Sequence, residues 1–193
     1  IYIMNDEVIF MFDSMLIKHC SPTLAGLKTA GLFNFRFCSE QEAQQTLSLW
    51  NRNLNPKGVC IRILKMNSCR ALIYVYRRTL LGRLLADERI QAFLAPYGYH
   101  GLSDDESLLL LERRVQACPE FPHEIGVFLG YPLDDVIGFI ENSGRNCKCC
   151  GCWKVYCNEC EALRTFARYE KCRLVYERLF LSGRPLIQLA VSA

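Results

Sequence analysis

Residues 119–142, PEFPHEIGVFLGYPLDDVIGFIEN, restrict the fold of this chain more than any other stretch. Glycine and proline recur through it, yet the residues between them are almost all of the buried type. Such backbone must adopt special dihedrals or approach something closely, as binding loops do. The pattern reads as a strand over 124–130, a turn at Gly130-Tyr131-Pro132 and a helix over 133–142. A strand-to-helix turn exposes free amides that can hold an anion. Here Asp134 and Asp135 fill the first helical turn, where they satisfy the helix dipole and repel phosphate. The stretch therefore either caps its helix or grips a neutral or cationic group, or a metal-bridged phosphate. Neither GxGxxG nor a Walker pattern occurs, so no nucleotide fold is signalled.

His123-Glu124 stands at the head of this stretch. It is not a metalloprotease HExxH, because position 127 is Val. With only His19, His100 and His123 in the chain, a multi-histidine metal site is excluded. His123 is then either a structural hydrogen-bonder fixed after Pro122, or a general base, axial ligand or substrate contact. Glu124 is its nearest candidate orienter, although neighbours on a strand point to opposite faces.

The rest of the chain has legible punctuation. Ser39 with Glu42, Ser103 with Glu106, and Asn158 with Glu161 form capping boxes. They open helices over 40–53, 104–117 and 159–182. Leu108, Leu111 and Val115 form the apolar face of the second. Leu163, Phe166, Tyr169, Cys172, Tyr176 and Phe180 form that of the third, which Gly183 and Pro185 end. VCIRILKM (59–66) and RALIYVYR (70–77) flank a turn and predict a hairpin, with the second strand central because both its faces are apolar. Segments 32–37, 152–156 and 186–191 are further strands, and 79–95 a further helix. Strands and helices mix without strict alternation. The expectation is one α+β domain over residues 1–193, with a mixed or mainly antiparallel sheet packed against several helices. The chain opens with Ile, so residues 1–3 can lie upstream of a natural start at Met4.

CKCCGCWKVYCNEC holds six cysteines in fourteen residues. Cys149/Cys152 and Cys157/Cys160 form two CxxC pairs, which can bind zinc or part of an iron–sulfur cluster. Zinc ribbons separate such pairs by roughly 15–20 residues; here four intervene. If WKVY is a strand, Cys152 and Cys157 face opposite sides and Cys160 falls in the first turn of a helix, so no complete four-thiolate site is expected. Reduced, partly buried thiols and thiol redox chemistry are the alternatives.

Three basic residues complete the candidates. Lys28 ends a short helix expected over 22–28 and can bind an anion or form a Schiff base if desolvated. Arg77 ends the central strand, where site residues gather. Lys154 and Tyr156 share one face of the WKVY strand. The net charge of +3 and the scattered basic residues imply no nucleic-acid or membrane partner. Acidic residues break the apolar opening too early for a signal or a span, so the expected compartment is the cytoplasm, where twelve cysteines stay reduced.

FPHEIGVFLGYPLDDVIGFI, followed by CKCCGCWKVY and FARYEKC, together with SPTLAGLKTAGLFNF and CRALIYVYRR, resembles a clostridial family of unknown function, DUF3793. The resemblance spans nearly the whole chain. It brings no activity, cofactor or catalytic residue, and implies only a Firmicutes anaerobe in which relatives sit beside flavodoxin-type and iron-related genes.

Three functions follow as expectations. The first is a ligand-binding or accessory protein in anaerobic iron or redox metabolism, whose partner is a small molecule or redox protein. Its pocket would comprise His123, Glu124, Tyr131, Asp134, Asp135, Lys28, Arg77, Lys154 and Tyr156. The second is an enzyme with His123 as general base and Lys28 or Arg77 as electrostatic stabiliser. The third is a thiolate metal module at 147–160, with Cys149, Cys152, Cys157 and Cys160 as its ligands. The cofactor is unknown in all three. A pocket holding His123 and at least two basic residues favours the first two readings, and clustered thiols favour the third.

Overall fold

A computed structural model describes residues 6–117 and 121–192. Cys118, Pro119, Glu120 and the start at Met4 lie outside the described residues. In chain order the elements are α1 (Asp6–Leu24), β1 (Ala30–Arg36), α2 (Glu40–Leu54), β2 (Val59–Asn67), β3 (Arg70–Arg77), α3 (Arg78–Leu85), α4 (Glu88–Leu94), α5 (Asp104–Ala117), α6 (Ile125–Phe128), α7 (Leu133–Glu141), β4 (Cys149–Cys150), β5 (Lys154–Val155), α8 (Glu159–Leu181) and α9 (Leu186–Leu189).

β3 is the central strand of an antiparallel sheet ordered β1-β3-β2. Its alternation sorts two cores. Ala71, Ile73 and Val75 face one side with Phe33, Phe35 and Ile61, and are covered by α1, α2 and α9. Tyr74 and Tyr76 face the other with Cys60 and Leu64, and are covered by α3 to α7. Ile73, Tyr74 and Val75 are fully buried. Each such side chain contributes about 1.5–3 kcal/mol. Asn67 pairs with Arg70, which leaves a two-residue turn with Ser68 at φ +51°. The sheet and helices form one compact α+β unit, as the sequence patterning leads one to expect.

The capping boxes are present. Glu42 N donates to Ser39 Oγ at 3.1 Å, and the Glu42 carboxylate accepts from Cys38 N at 2.6 Å. Ser103 N donates to Glu106 at 2.8 Å, and Glu161 N to Asn158 Oδ1 at 3.4 Å. Leu108, Leu111 and Val115 are buried on α5. On α8, which packs on α1, the stripe is narrower: Tyr169 and Cys172 are buried, but Leu163 is 50 % exposed.

Several segments differ from their sequence reading. Within residues 124–130, Ile125–Phe128 form the single-turn helix α6 flanked by turns, not a strand. Sheet pairing is spent on β1–β3, and Gly130 at φ +75° closes the turn. In the segment 186–191, Leu186–Leu189 likewise form a helix, α9. The 22–28 segment is the end of a long α1, with Pro22 inside it, followed by a turn. Asp87 divides 79–95 into α3 and α4 by accepting from Arg89 N and Ile90 N. WKVY keeps only two strand residues, paired with Cys149 and Cys150.

Candidate functional site

The GYPLDD turn folds back onto the cysteine-rich hairpin, and a cavity of about 400 Å³ lies between them. α6 and α7 supply one wall through Ile125, Leu129, Val136 and Phe139. β4–β5 supplies the other through Cys150, Trp153 and Lys154. The Gly130 turn enters this arrangement because it must press on the turn after α1. A Cβ at Gly130 would sit 2.6 Å from Thr29 Oγ1, and its φ is in the left-handed region. Gly138 does the same for the hairpin: a Cβ there would meet the Tyr156 ring at 2.6 Å.

Asp135 joins the two walls. It is 3 % exposed and accepts three hydrogen bonds, from Trp153 Nε1 at 2.7 Å, Tyr156 N at 2.7 Å and Cys157 N at 3.0 Å. A buried carboxylate needs such donors to offset its desolvation. Trp153 is thereby fixed, stacked on Tyr131 at 5.3 Å and edge-on to Phe166 at 4.5 Å. Asp135 lines the cavity with both its carboxylate oxygens engaged by the hairpin rather than by the first-turn amides of α7. Asp134 points outward to Arg89 at 2.7 Å.

His123 stands exposed at the rim, its ring edge-on to Phe139 at 5.1 Å. Lys154 lies over the same Phe139 ring at 5.8 Å and donates to Gly144 O at 2.7 Å, which leaves two ammonium N–H donors. Glu124 turns inward on the opposite side. It is 1 % exposed, ion-paired with Arg114 and bonded by the Tyr99 hydroxyl at 3.4 Å. It therefore does not orient His123; the two residues part within a turn rather than across a strand.

Tyr131 lines the cavity, whereas Arg77, Lys28 and Tyr156 are not among its lining residues. Arg77 is 3 % exposed and donates to Thr23 O at 2.7 Å, Lys57 O at 3.0 Å, Val191 O at 2.7 Å and Leu24 O. Two of these are the last carbonyls of α1, so Arg77 caps that helix. Lys28 sits behind the wall, 5.2 Å over the Tyr131 ring. Burial lowers its pKa, opposed by the neighbouring Cys152 and Cys20 thiols. Tyr131 is pushed up to about 12 by the same burial. Tyr156 packs on Gly138 and ends outside β5. The cavity therefore holds His123 and one basic side chain, not two.

The alternative metal set, Cys149, Cys152, Cys157 and Cys160, is not brought together. Among the described residues no three His, Cys, Asp or Glu side chains converge on a point that could hold a metal ion. Cys149 is half-buried in β4, whereas Cys152 stands exposed in the turn between β4 and β5. Cys157 follows β5, where its amide is drawn to Asp135. Cys160 is exposed in the first turn of α8, the helix that Asn158 caps, so the course of that helix and not a thiolate site sets its position. The two CxxC pairs therefore belong to different elements, one to the hairpin and one to the start of α8. Burial raises the Cys149 and Cys152 thiols, with Glu159 and Cys147 adding to the first and Lys28 opposing the second. Both shifts disfavour the thiolate.

Trp153, Phe139, Val136 and Leu129 are the wall residues that reading the sequence missed. The signal was the lone Trp in a glycine-flanked turn beside candidate Lys154. Its meaning depends on Asp135, 18 residues away. Among the described residues no helix is long and apolar enough to cross a membrane. A family model described as a protein of unknown function (DUF3793) matches residues 16–190. No curated protein and no solved structure matches the chain.

Proposed function

Because the chain belongs to the DUF3793 family, whose function is unknown, its role rests on its own residues, and we propose that it is a cytoplasmic ligand-binding protein. Its cavity takes a small, flat, mainly apolar molecule carrying one anionic or acceptor group. The carrying observation is the cavity itself: about 400 Å³, walled by Trp153, Phe139, Val136 and Leu129, with His123, Lys154 and the bonded Asp135 carboxylate among its charged or titratable side chains. That size and lining are those of small-molecule sites. The aromatic walls take the ring, and Lys154 and His123 take the polar end. A setting in reducing metabolism suits twelve cysteines kept as thiols. An enzyme using His123 as general base has weaker support, since Arg77 and Glu124 are engaged elsewhere and Lys28 lies behind Tyr131.

The test uses 1-anilinonaphthalene-8-sulfonate, an aromatic anion, as probe. Saturable one-to-one fluorescence enhancement is expected. Lys154→Met and Phe139→Ala should each weaken it about ten-fold, or about 1.4 kcal/mol, with circular dichroism unchanged. Non-saturable binding, or affinity untouched by both substitutions, overturns the reading.

A further inference from the structure

Away from this cavity, three elements enclose a second cleft of about 330 Å³: α1 with Phe10 and Asp13, α2 with Trp50 and Asn53, and the α8–α9 turn with Arg184. Asp13 Oδ1 and Trp50 Nε1 are both out of solvent, and neither has a hydrogen-bond partner among the described residues. Trp50 exposes only 7 % of its surface. Buried polar atoms in native proteins are nearly always paired, with protein, water or an ion. Here one acceptor and one donor are orphaned in the walls of the same cleft.

Their surroundings define what would pair them. Phe10 and Phe180 stack at 5.5 Å, and both line the cleft with Trp50. A carboxylate set among aromatic faces recognises an organic ammonium, by direct charge-assisted hydrogen bonding and by attraction to the ring faces. The Trp50 N–H donates only, so it asks for an acceptor on the same molecule. A metal cation would satisfy Asp13 but leave Trp50 unpaired and gain nothing from the rings.

We propose that this cleft binds a small organic amine bearing a nearby hydrogen-bond acceptor, as amino alcohols do, with the ammonium on Asp13 and the acceptor on Trp50 Nε1. Burial alone pushes the Asp13 carboxyl up to about 7. A cation beside it would draw it down again. Arg184 and Asn53, both exposed, are the other polar side chains of the cleft, and neither pairs with Asp13 Oδ1 among the described residues.

The chain has two tryptophans, Trp50 and Trp153, so two indole N–H resonances report the two cavities separately. The probe is phenylalaninol, and the control is 3-phenyl-1,2-propanediol, its neutral analogue. At pH 8 phenylalaninol should shift the Trp50 indole resonance saturably and leave Trp153 in place, while the diol shifts neither. Asp13→Asn should weaken phenylalaninol at least about ten-fold. Equal response to the diol, no Trp50 shift at millimolar phenylalaninol, or full affinity in a folded Asp13→Asn protein would each overturn the assignment. The comparison of amine and diol on the unaltered protein decides the matter if that variant does not fold.

Discussion

The Arg77 guanidinium lies in the interior with its donors on the carbonyls of Thr23, Leu24, Lys57 and Val191. Carbonyl dipoles at the end of α1 take the place of a carboxylate, so the charge is solvated by backbone. Asp13 is the opposite case, a half-buried carboxyl with an orphan oxygen among the described residues. Its pKa rises from 3.8 to about 7 through burial. A raised acid keeps its proton longer in the folded state than in the unfolded one. Its contribution to stability is whole below the unfolded value, falls as pH climbs through the interval, and is lost above about 7. Melting temperature at pH 5 should therefore exceed that at pH 8 by more in the parent than in Asp13→Asn. His19, lowered by burial and by Lys18, pulls stability the other way over part of this range, so the difference between the two proteins isolates Asp13. Parallel melting curves across pH would refute the raised carboxyl.

At the scale of elements, β4–β5 is the least self-sufficient unit. With two residues per strand it buries one core side chain, Val155, and is otherwise held in place through Asp135 and the fit of Tyr156 on Gly138. Asp135→Ala strands Trp153 Nε1 and two backbone amides. At about 1 kcal/mol or more each, the loss is about 3 kcal/mol, or roughly 6–12 °C in a chain of this size. Calorimetry checks it, and a variant melting within a degree or two of the parent shows that the hairpin does not depend on Asp135. The capping boxes and the β2–β3 hairpin were legible because their chemistry is local: a side chain and an amide three residues apart, or a two-residue turn. The α6 and α9 segments were not. A short apolar run such as IGVF or LIQL has no period long enough to separate strand from helix, and here each is settled by what it packs on: Tyr74 donating to Phe128 O at 2.6 Å, and α9 closing the core beside α1.

For the whole molecule, one three-stranded sheet separates two cores, and β3 belongs to both. Amide exchange should follow that geometry. Ile73 to Val75 should exchange only by global unfolding, and the β4–β5 amides much faster by local opening. Equal rates in the two would mean that the hairpin is part of the same cooperative unit. The central place of β3 could be read from RALIYVYR because an apolar strand has to be covered on both faces. The cavity wall could not, since Asp135, Trp153 and Phe139 acquire a joint role only once the chain has folded. The Arg77 cluster also sets an order of events during synthesis. One of its acceptors, Val191 O, lies 114 residues downstream, and α9 just before it completes the core over α1. At about 5–20 residues per second, a nascent chain that already holds Arg77 waits roughly ten seconds before that partner is made. For that interval the face of the sheet that α9 will cover stays wet, and Arg77 has only part of its shell. A holding chaperone would have its longest opportunity there, on a surface that the finished protein hides completely.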